Sequence, residues 1–340
     1  MPVDSGFERQ YQACLTAAGL YHRRDRGIIE LRGDDRAAWL NNFVTNVITT
    51  VSTGEGNYAF ATTREGRTVF DLNMLVLEDR LWLDIDCRRL EKAKAHLDRY
   101  LICEDVTVLD LTAQSGRFAI LGPQTSGVVD RLGFGNLAAM AWLQHTPGTI
   151  DGHELRMMRH DFAGVVGAEF FVTGASADEE VATVIATLSA KLEIPIVDRS
   201  VVESLRIEAG IPASVDDIDE DVIPPETGQI ERGISSQKGC YLGQEVLERM
   251  RSRGAIARRL VGIRFDGDAP VPPGSKLTAN DQPVGRVMSG CISPTLGAPL
   301  SLAYVKSGSV ETETPVIAHT EHGQRHGTTT PLPARKLAPS

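Results

Sequence analysis

The octet Lys238-Gly239-Cys240-Tyr241-Leu242-Gly243-Gln244-Glu245 places a cation, a thiol and a phenol side by side, directly before a stretch that reads as a helix from Glu245 to Met250. A thiol near a cation and a helix N-terminus has its thiolate favoured, and the thiolate is both the nucleophile and the metal ligand. Cys240 is therefore the candidate reactive cysteine, with Lys238 as its stabilising cation. The alternatives are a small buried hydrophobe for Cys240 and a solvated surface lysine for Lys238. Gly239 and Gly243 allow positive φ or close approach to a ligand, and Tyr241 offers a flat face and a hydroxyl. Gln244 is a candidate for a backbone or ligand contact. Glu245 fits the first turn of a helix better than an acid or base.

This octet resembles the KGCYxGQE signature of the YgfZ-type folate-binding proteins, relatives of the glycine-cleavage T-protein. Further segments carry the same resemblance: Leu205 to Pro212, Ile223-Pro224-Pro225-Glu226, Leu40 to Asn46, Gly66-Arg67 and Asp71. The resemblance spans roughly residues 25 to 335. It implies a T-protein-like α+β fold with ferredoxin-like halves and a small C-terminal antiparallel β-barrel. It also implies a bound tetrahydrofolate or derivative, and service to iron–sulfur client proteins or their assembly machinery. Asn46 could then hydrogen-bond a pterin edge or, equally, cap a helix; Asp71 falls on the family pattern. Arg206 and Glu208 would share a side if their segment is a strand, and could fix the pterin or the glutamate tail, or form an ordinary ion pair. Cys240 would ligate a transient iron–sulfur cluster or exchange with a client thiol. A cluster usually takes about four thiolates, so client or second-chain ligands would be required.

Two departures from the T-protein pattern weigh against aminomethyl transfer. An ungapped alignment puts Ala93 where T-proteins carry an aspartate associated with catalysis. Val165 falls where their Thr-Gly-Glu segment has its glutamate. The first expectation is therefore a folate-binding accessory factor for iron–sulfur proteins. A tetrahydrofolate-dependent one-carbon transferase or demethylase, and a folate-sensing module with an idle cysteine, stand beside it, so whether the protein is an enzyme is open.

The composition bounds these readings. A chain of 340 residues with 42% apolar content is long enough for two or three packed units. No apolar run approaches the length of a membrane span, and Met1 to Gln10 lacks the pattern of a secretory or transit segment, so a cytoplasmic protein without membrane partners is expected. Five scattered cysteines with no CxxC argue against a disulfide framework or a zinc site. A net charge of −10 disfavours general nucleic-acid binding, although Arg249, Arg251, Arg253, Arg258 and Arg259 form a local basic run. That run either steers an acidic client or pairs with Glu245 and Glu248.

The elements that must position these groups follow from periodicity and turn signals. Helices are expected over Phe7–Leu20, Phe43 back to an N-cap at Asp34, Arg88–Tyr100 and Gln124–Leu132, and after a capping box at Ser176–Glu179. Strands are expected at Ile28–Leu31, Tyr58–Thr62, Thr68–Leu77, Leu81–Asp86, Arg117–Leu121, Leu155–His160 and Glu169–Val172. Alternating elements without a glycine-rich dinucleotide fingerprint favour α+β over a doubly wound sheet. Residues 214–226 read as a solvated acidic loop. Short strands at Leu260–Phe265, Gly285–Ser289 and Leu300–Val305 read as a small barrel, which sets a boundary near residue 255: residues 1–254 as the folate-binding region of two interleaved α+β subdomains, and 255–340 as the barrel.

Overall fold

The computed structural model describes residues 5–253, 256–309 and 311–335. The chain begins with α1 (Ser5–Thr16) and β1 (Gly19–His22), followed by β2 (Arg26–Arg32), α2 (Arg36–Asn41), β3 (Gly56–Thr62), β4 (Thr68–Val76), β5 (Leu81–Asp86), α3 (Leu90–Asp98) and β6 (Thr107–Asp110). A second series repeats that order with β7 (Ser115–Leu121), α4 (Thr125–Arg131), β8 (His145–Ile150), β9 (His153–Arg159), β10 (Gly167–Thr173) and α5 (Ala177–Leu192). Each series builds a five-stranded antiparallel sheet, β3-β4-β5-β2-β6 and β8-β9-β10-β7-β1. In the second sheet β1, from the chain's start, takes the edge that β6 occupies in the first. The halves are thereby interleaved, and each has one strand more than a four-stranded ferredoxin-like unit.

Period-2 alternation of apolar and polar side chains gives β4 two different faces, both buried. In β4 every residue from Thr68 to Leu75 is buried: Phe70, Leu72 and Met74 pack against α3 and α2, while Asp71 and Asn73 fall on the opposite face. Between the sheets, Ile28, Leu75, Trp82, Leu143, Met158 and Phe171 form an apolar seam. Beside it lies a buried charge network. Asp84 accepts from Arg26 Nε at 2.9 Å, Arg117 Nη1 at 2.7 Å and Asn73 Nδ2 at 2.8 Å, and Glu169 accepts from Arg23 and from His160 Nδ1. Burial alone would raise Asp84, but Arg117 and Arg26 hold its carboxyl well below the usual carboxylate range.

Residues 199–209 correct an expectation: they form helix α6 (Arg199–Ala209), not a strand. Val201, Val202, Leu205 and Ala209 recur at helical spacing, and Gly210, at φ 72°, closes the helix as its N–H reaches the Ile207 carbonyl. Residues two apart on a helix point roughly 200° apart, so Arg206 and Glu208 cannot share a side. Buried nearly all round from Val201 to Ala209, α6 lies between α1 on one side and the barrel on the other.

Next come α7 (Ile230–Gly233) and α8 (Gln244–Arg253), and the barrel strands β11 (Arg258–Phe265), β12 (Lys276–Ala279), β13 (Gln282–Ser293), β14 (Ala298–Lys306), β15 (Pro315–Thr320) and β16 (Gly323–Thr330). They close antiparallel in the order β11-β14-β13-β12-β15-β16, which leaves no free edge. The expected boundary near 255 lies outside the described residues. Residues 214–226 are a loop, yet not a merely solvated one: Asp216 pairs with Arg88, Asp217 with Arg206, Asp219 with Arg286, Glu220 with Arg89 and Lys92, and Asp221 with Arg67. These acids tether the first half, α6 and the barrel to one segment.

Candidate functional site

Where the two sheets meet, α6, α7 and residues 211–216 leave a cleft of about 940 Å³, part of it open to solvent. Its buried wall carries Asp71. Strand register brings Tyr58 of β3 opposite Asn73, and the Tyr58 hydroxyl donates to Asp71 Oδ2 at 3.0 Å. Among the described residues, the second carboxylate oxygen of Asp71 is buried without a partner. Trp142 stands beside Tyr58, with ring centroids 6.3 Å apart, and its indole N–H is likewise buried and unpaired. Buried polar atoms are nearly always satisfied, so an orphaned acceptor and an orphaned donor in one cleft point to a ligand that satisfies both. Phe162 and His160 continue the aromatic wall. His160 is held through Nδ1 by Glu169 at 2.5 Å, which leaves its other ring nitrogen without a protein partner among the described residues.

Six arginines line the cleft, and four are consumed by carboxylates: Arg23 by Glu169, Arg26 by Asp84, Arg88 by Asp86 and Asp216, and Arg206 by Glu203 and Asp217. Arg199, at the start of α6, and Arg232, in α7, are exposed and in no ion pair among the described residues; the Arg232 guanidinium stacks 5.0 Å from the Trp142 ring. The cleft therefore offers an acidic acceptor on its floor, aromatic walls and two spare cations at its rim. A planar heterocycle with N–H donors and an anionic extension suits that layout.

Of the residues expected from the sequence, Asp71 and Arg206 line this cleft, and the others do not. Burial opposes the Arg206 charge, but Asp217 and Glu203 hold the guanidinium protonated and occupied. Glu208 lies apart, fully buried at the barrel seam, where Tyr11, Ser293 and the Thr295 N–H donate to it. Asn46 neither caps a helix nor points to solvent: its amide is surrounded by Asn57 Oδ1 and the carbonyls of Tyr58 and Arg232 at 2.7 to 2.8 Å. Ala93 and Val165 are core residues of α3 and of the α1–α6 layer, so neither position is one where a carboxylate would face the cleft. The cleft is nonetheless not without a carboxylate, because Asp71 lines it.

The octet forms a separate surface. Gly243 takes φ 85° where a Cβ would stand 2.5 Å from Thr62 Oγ1, so this turn requires glycine. Cys240 is exposed, and α8 begins four residues later. Lys238 gives no bond to Cys240; its ammonium is spent on the carbonyls of Asn41, Val44 and Asn46, which corrects its reading as thiolate stabiliser or solvated lysine. Tyr241 is buried beneath that ammonium, 5.1 Å from ring to Nζ, and Gln244 opens α8. Arg249 pairs with Glu245 and Arg251 with Glu248, while the Arg253 side chain lies outside the described residues. Burial pushes the Cys14 and Cys291 thiols up to about 12. With iodoacetamide we expect Cys240 and the other exposed thiol, Cys103, to be alkylated first and Cys14 and Cys291 only on unfolding, as read by peptide mass spectrometry.

Tyr58, Trp142, His160, Phe162, Arg199 and Arg232 went unnoticed in the sequence. One signal was available: Asp71 and Asn73 alternate within an otherwise apolar strand, which marks a buried face with a polar task. Among the described residues no helix is long and apolar enough to cross a membrane, and no group of three or more His, Cys, Asp or Glu could hold a metal ion.

The GCVT N-terminal domain model matches residues 2–235, and the glycine cleavage T-protein C-terminal barrel domain model matches residues 258–334. The chain is 28% identical over 306 residues to an aminomethyltransferase of Rubrobacter xylanophilus, covering 90% of this chain and 81% of that protein. It is 28% identical over 282 residues to a chloroplastic putative transferase of Arabidopsis thaliana, covering 82% and 63%. The crystal structure of the glycine cleavage system aminomethyltransferase T from Bartonella henselae superposes with a TM-score of 0.85 over 98% of this chain and 91% of that one, at 19% identity, a likeness of fold.

Proposed function

The chain belongs to the glycine cleavage T-protein family, and from that premise we propose that it is a YgfZ-type accessory factor that holds a tetrahydrofolate derivative in the cleft and serves iron–sulfur client proteins through Cys240. The observation that carries the folate half is the pair of orphaned atoms, Asp71 Oδ1 and Trp142 Nε1, within aromatic walls. A pterin ring presents N–H donors and a carbonyl acceptor on one plane, and can satisfy both. The iron–sulfur half is supported by the octet and by the exposure of Cys240 on a surface apart from the cleft. A cluster held by this chain alone does not fit the described residues, so the remaining iron ligands would come from a client.

The spare rim cations suit the glutamate carboxylates of folate. Replacing both Arg199 and Arg232 with glutamate is expected to weaken tetrahydrofolate binding by roughly tenfold, and a triglutamyl form more than a monoglutamyl one, since each exposed ion contact is worth about 0.2 to 1 kcal/mol and the reversed charges add repulsion. Calorimetry at low and high salt reads this directly; equal affinity of the native and double-variant proteins would remove the rim from the site.

Asp71 favours a second reading, a tetrahydrofolate-dependent one-carbon transferase, because an unpaired carboxylate in a ligand cleft can take or position a proton. The two are separated by experiment. Rescue of iron–sulfur enzyme activity in cells lacking a YgfZ-type factor, abolished in Cys240→Ser while folate binding persists, supports the accessory reading. Turnover of methylene or formyl tetrahydrofolate that survives Cys240→Ser and is lost in Asp71→Asn supports the transferase. Full rescue by Cys240→Ser leaves a folate-sensing module with an idle thiol.

A further inference from the structure

The octet and the cleft do not share a wall, yet a short series of hydrogen bonds joins them. Lys238 Nζ reaches the carbonyls of Asn41 and Val44 at 2.6 Å and of Asn46 at 2.9 Å. An ammonium has three donors and no acceptor, so these carbonyls satisfy it completely. The Asn46 side chain then holds the carbonyls of Tyr58 and Arg232, both at 2.8 Å. Those two residues send their side chains into the cleft, Tyr58 onto Asp71 and Arg232 onto Trp142. The far end of the octet is tied as well: the Leu242 N–H donates to the Asn42 carbonyl at 3.0 Å, and Thr62 Oγ1 to the Leu242 carbonyl at 2.7 Å. Cys240 thus sits on a loop pinned at both ends to the segments that place the cleft wall.

We propose that Lys238 is a positioning residue that couples the Cys240 loop to the cleft, so that a pterin-class ligand against Asp71 and Trp142 changes the reactivity of Cys240, and loss of the Lys238 ammonium weakens that ligand. The inference rests on the folate reading. Coupling of this kind is reciprocal, since whatever the ligand does to the loop the loop does to the ligand. Lys238 touches neither the ligand space nor the thiol; it acts only through the backbone it holds.

Protonation gives the device a direction. Burial pushes Lys238 down to about 8, against three carbonyl oxygens that favour the charged form. The neutral amine has two donors for the same three carbonyls, so the clamp loosens as pH rises through that value. Its neighbours on the 41–46 segment carry no titratable side chain; on the octet, Cys240, Tyr241 and Glu245 do, Glu245 being exposed and paired with Arg249, and burial pushes the Tyr241 hydroxyl up to about 12. The unfolded chain keeps the Lys238 proton to higher pH, so this group's contribution to stability rises from about pH 8 up to the ordinary lysine range. A loss of affinity in that window is therefore local and not unfolding driven by this group.

The test is anaerobic calorimetry with tetrahydrofolate, together with iodoacetamide alkylation of Cys240 relative to Cys103, with and without tetrahydrofolate, at pH 7 and pH 9. In the native protein, tetrahydrofolate should change the Cys240 to Cys103 alkylation ratio, and its Kd should rise roughly fivefold from pH 7 to pH 9. Lys238→Ala should weaken binding roughly tenfold at pH 7 and abolish the ligand effect on alkylation. Lys238→Arg, which keeps its charge at pH 9, should flatten the pH dependence. If native protein binds tetrahydrofolate with a flat Kd and a ligand-independent alkylation ratio, the coupling is overturned and the cleft reading stands, whether or not Lys238→Ala folds. If native protein binds no tetrahydrofolate at either pH, both fall together.

Discussion

Replacing Asp71 with asparagine is expected to weaken tetrahydrofolate binding by roughly 10- to 100-fold, because a charge-assisted hydrogen bond to a ligand donor is worth about 1.5 to 3 kcal/mol. Asparagine keeps the shape of the side chain and one carbonyl oxygen, so the Tyr58 hydroxyl retains an acceptor and the core of β4 is undisturbed. What goes is the charge at the unpaired oxygen. If the protein also transfers a one-carbon unit, turnover should fall further than binding, by about 10² to 10⁴, the usual share of a positioned proton-handling group. Calorimetry and single-turnover assays on the same preparation separate the two losses. An Asp71→Asn variant that binds as tightly as native protein would show that the cleft floor is not where the ligand's donors lie.

Glu208→Ala should do the opposite, lowering stability by about 3 to 5 kcal/mol while leaving the folate affinity of the folded fraction unchanged. Glu208 is fully buried on α6 and joins three parts of the chain: Tyr11 of α1, Ser293 and Thr295 of the barrel, and Arg335 near the C-terminus at 3.8 Å. Removing the carboxylate strands several buried donors at once and leaves Arg335 without its counter-charge. Urea unfolding followed by circular dichroism gives the loss in stability; calorimetry at a temperature where the variant is folded gives the affinity. A variant of native stability that fails to bind would return Glu208 to the ligand site.

These two carboxylates show where sequence reasoning reaches and where it stops. The strand that carries Asp71 was legible because an eight-residue apolar run with two polar interruptions has the period of a buried strand. The barrel was legible for a similar reason, in short strands between proline and glycine turns. The helix that carries Arg206 and Glu208 was not: a short segment with β-branched Val201, Val202 and Ile207 fits either period, and contacts on both sides decide in favour of the helix.

By itself, the sequence determined the alternation of strands and helices, the small C-terminal barrel, the octet as a glycine-turned loop before a helix, and the strand that carries Asp71. Each is a local property, set by side-chain period, turn chemistry or composition over a few residues. Only the tertiary structure decided which charges are available. Arg206 read as a ligand contact or an ordinary ion pair and is consumed by Asp217, which lies in a loop that read as solvated; Lys238 read as a thiolate stabiliser or a solvated lysine and is spent on carbonyls nearly two hundred residues earlier in the chain. Arg199 and Arg232, unremarked in the sequence, are the cleft arginines in no ion pair among the described residues. Charge pairing depends on distances between residues remote in sequence, and a few ångströms change the energy of a buried pair by several kcal/mol. That geometry exists only after the two sheets, α6 and the barrel have packed.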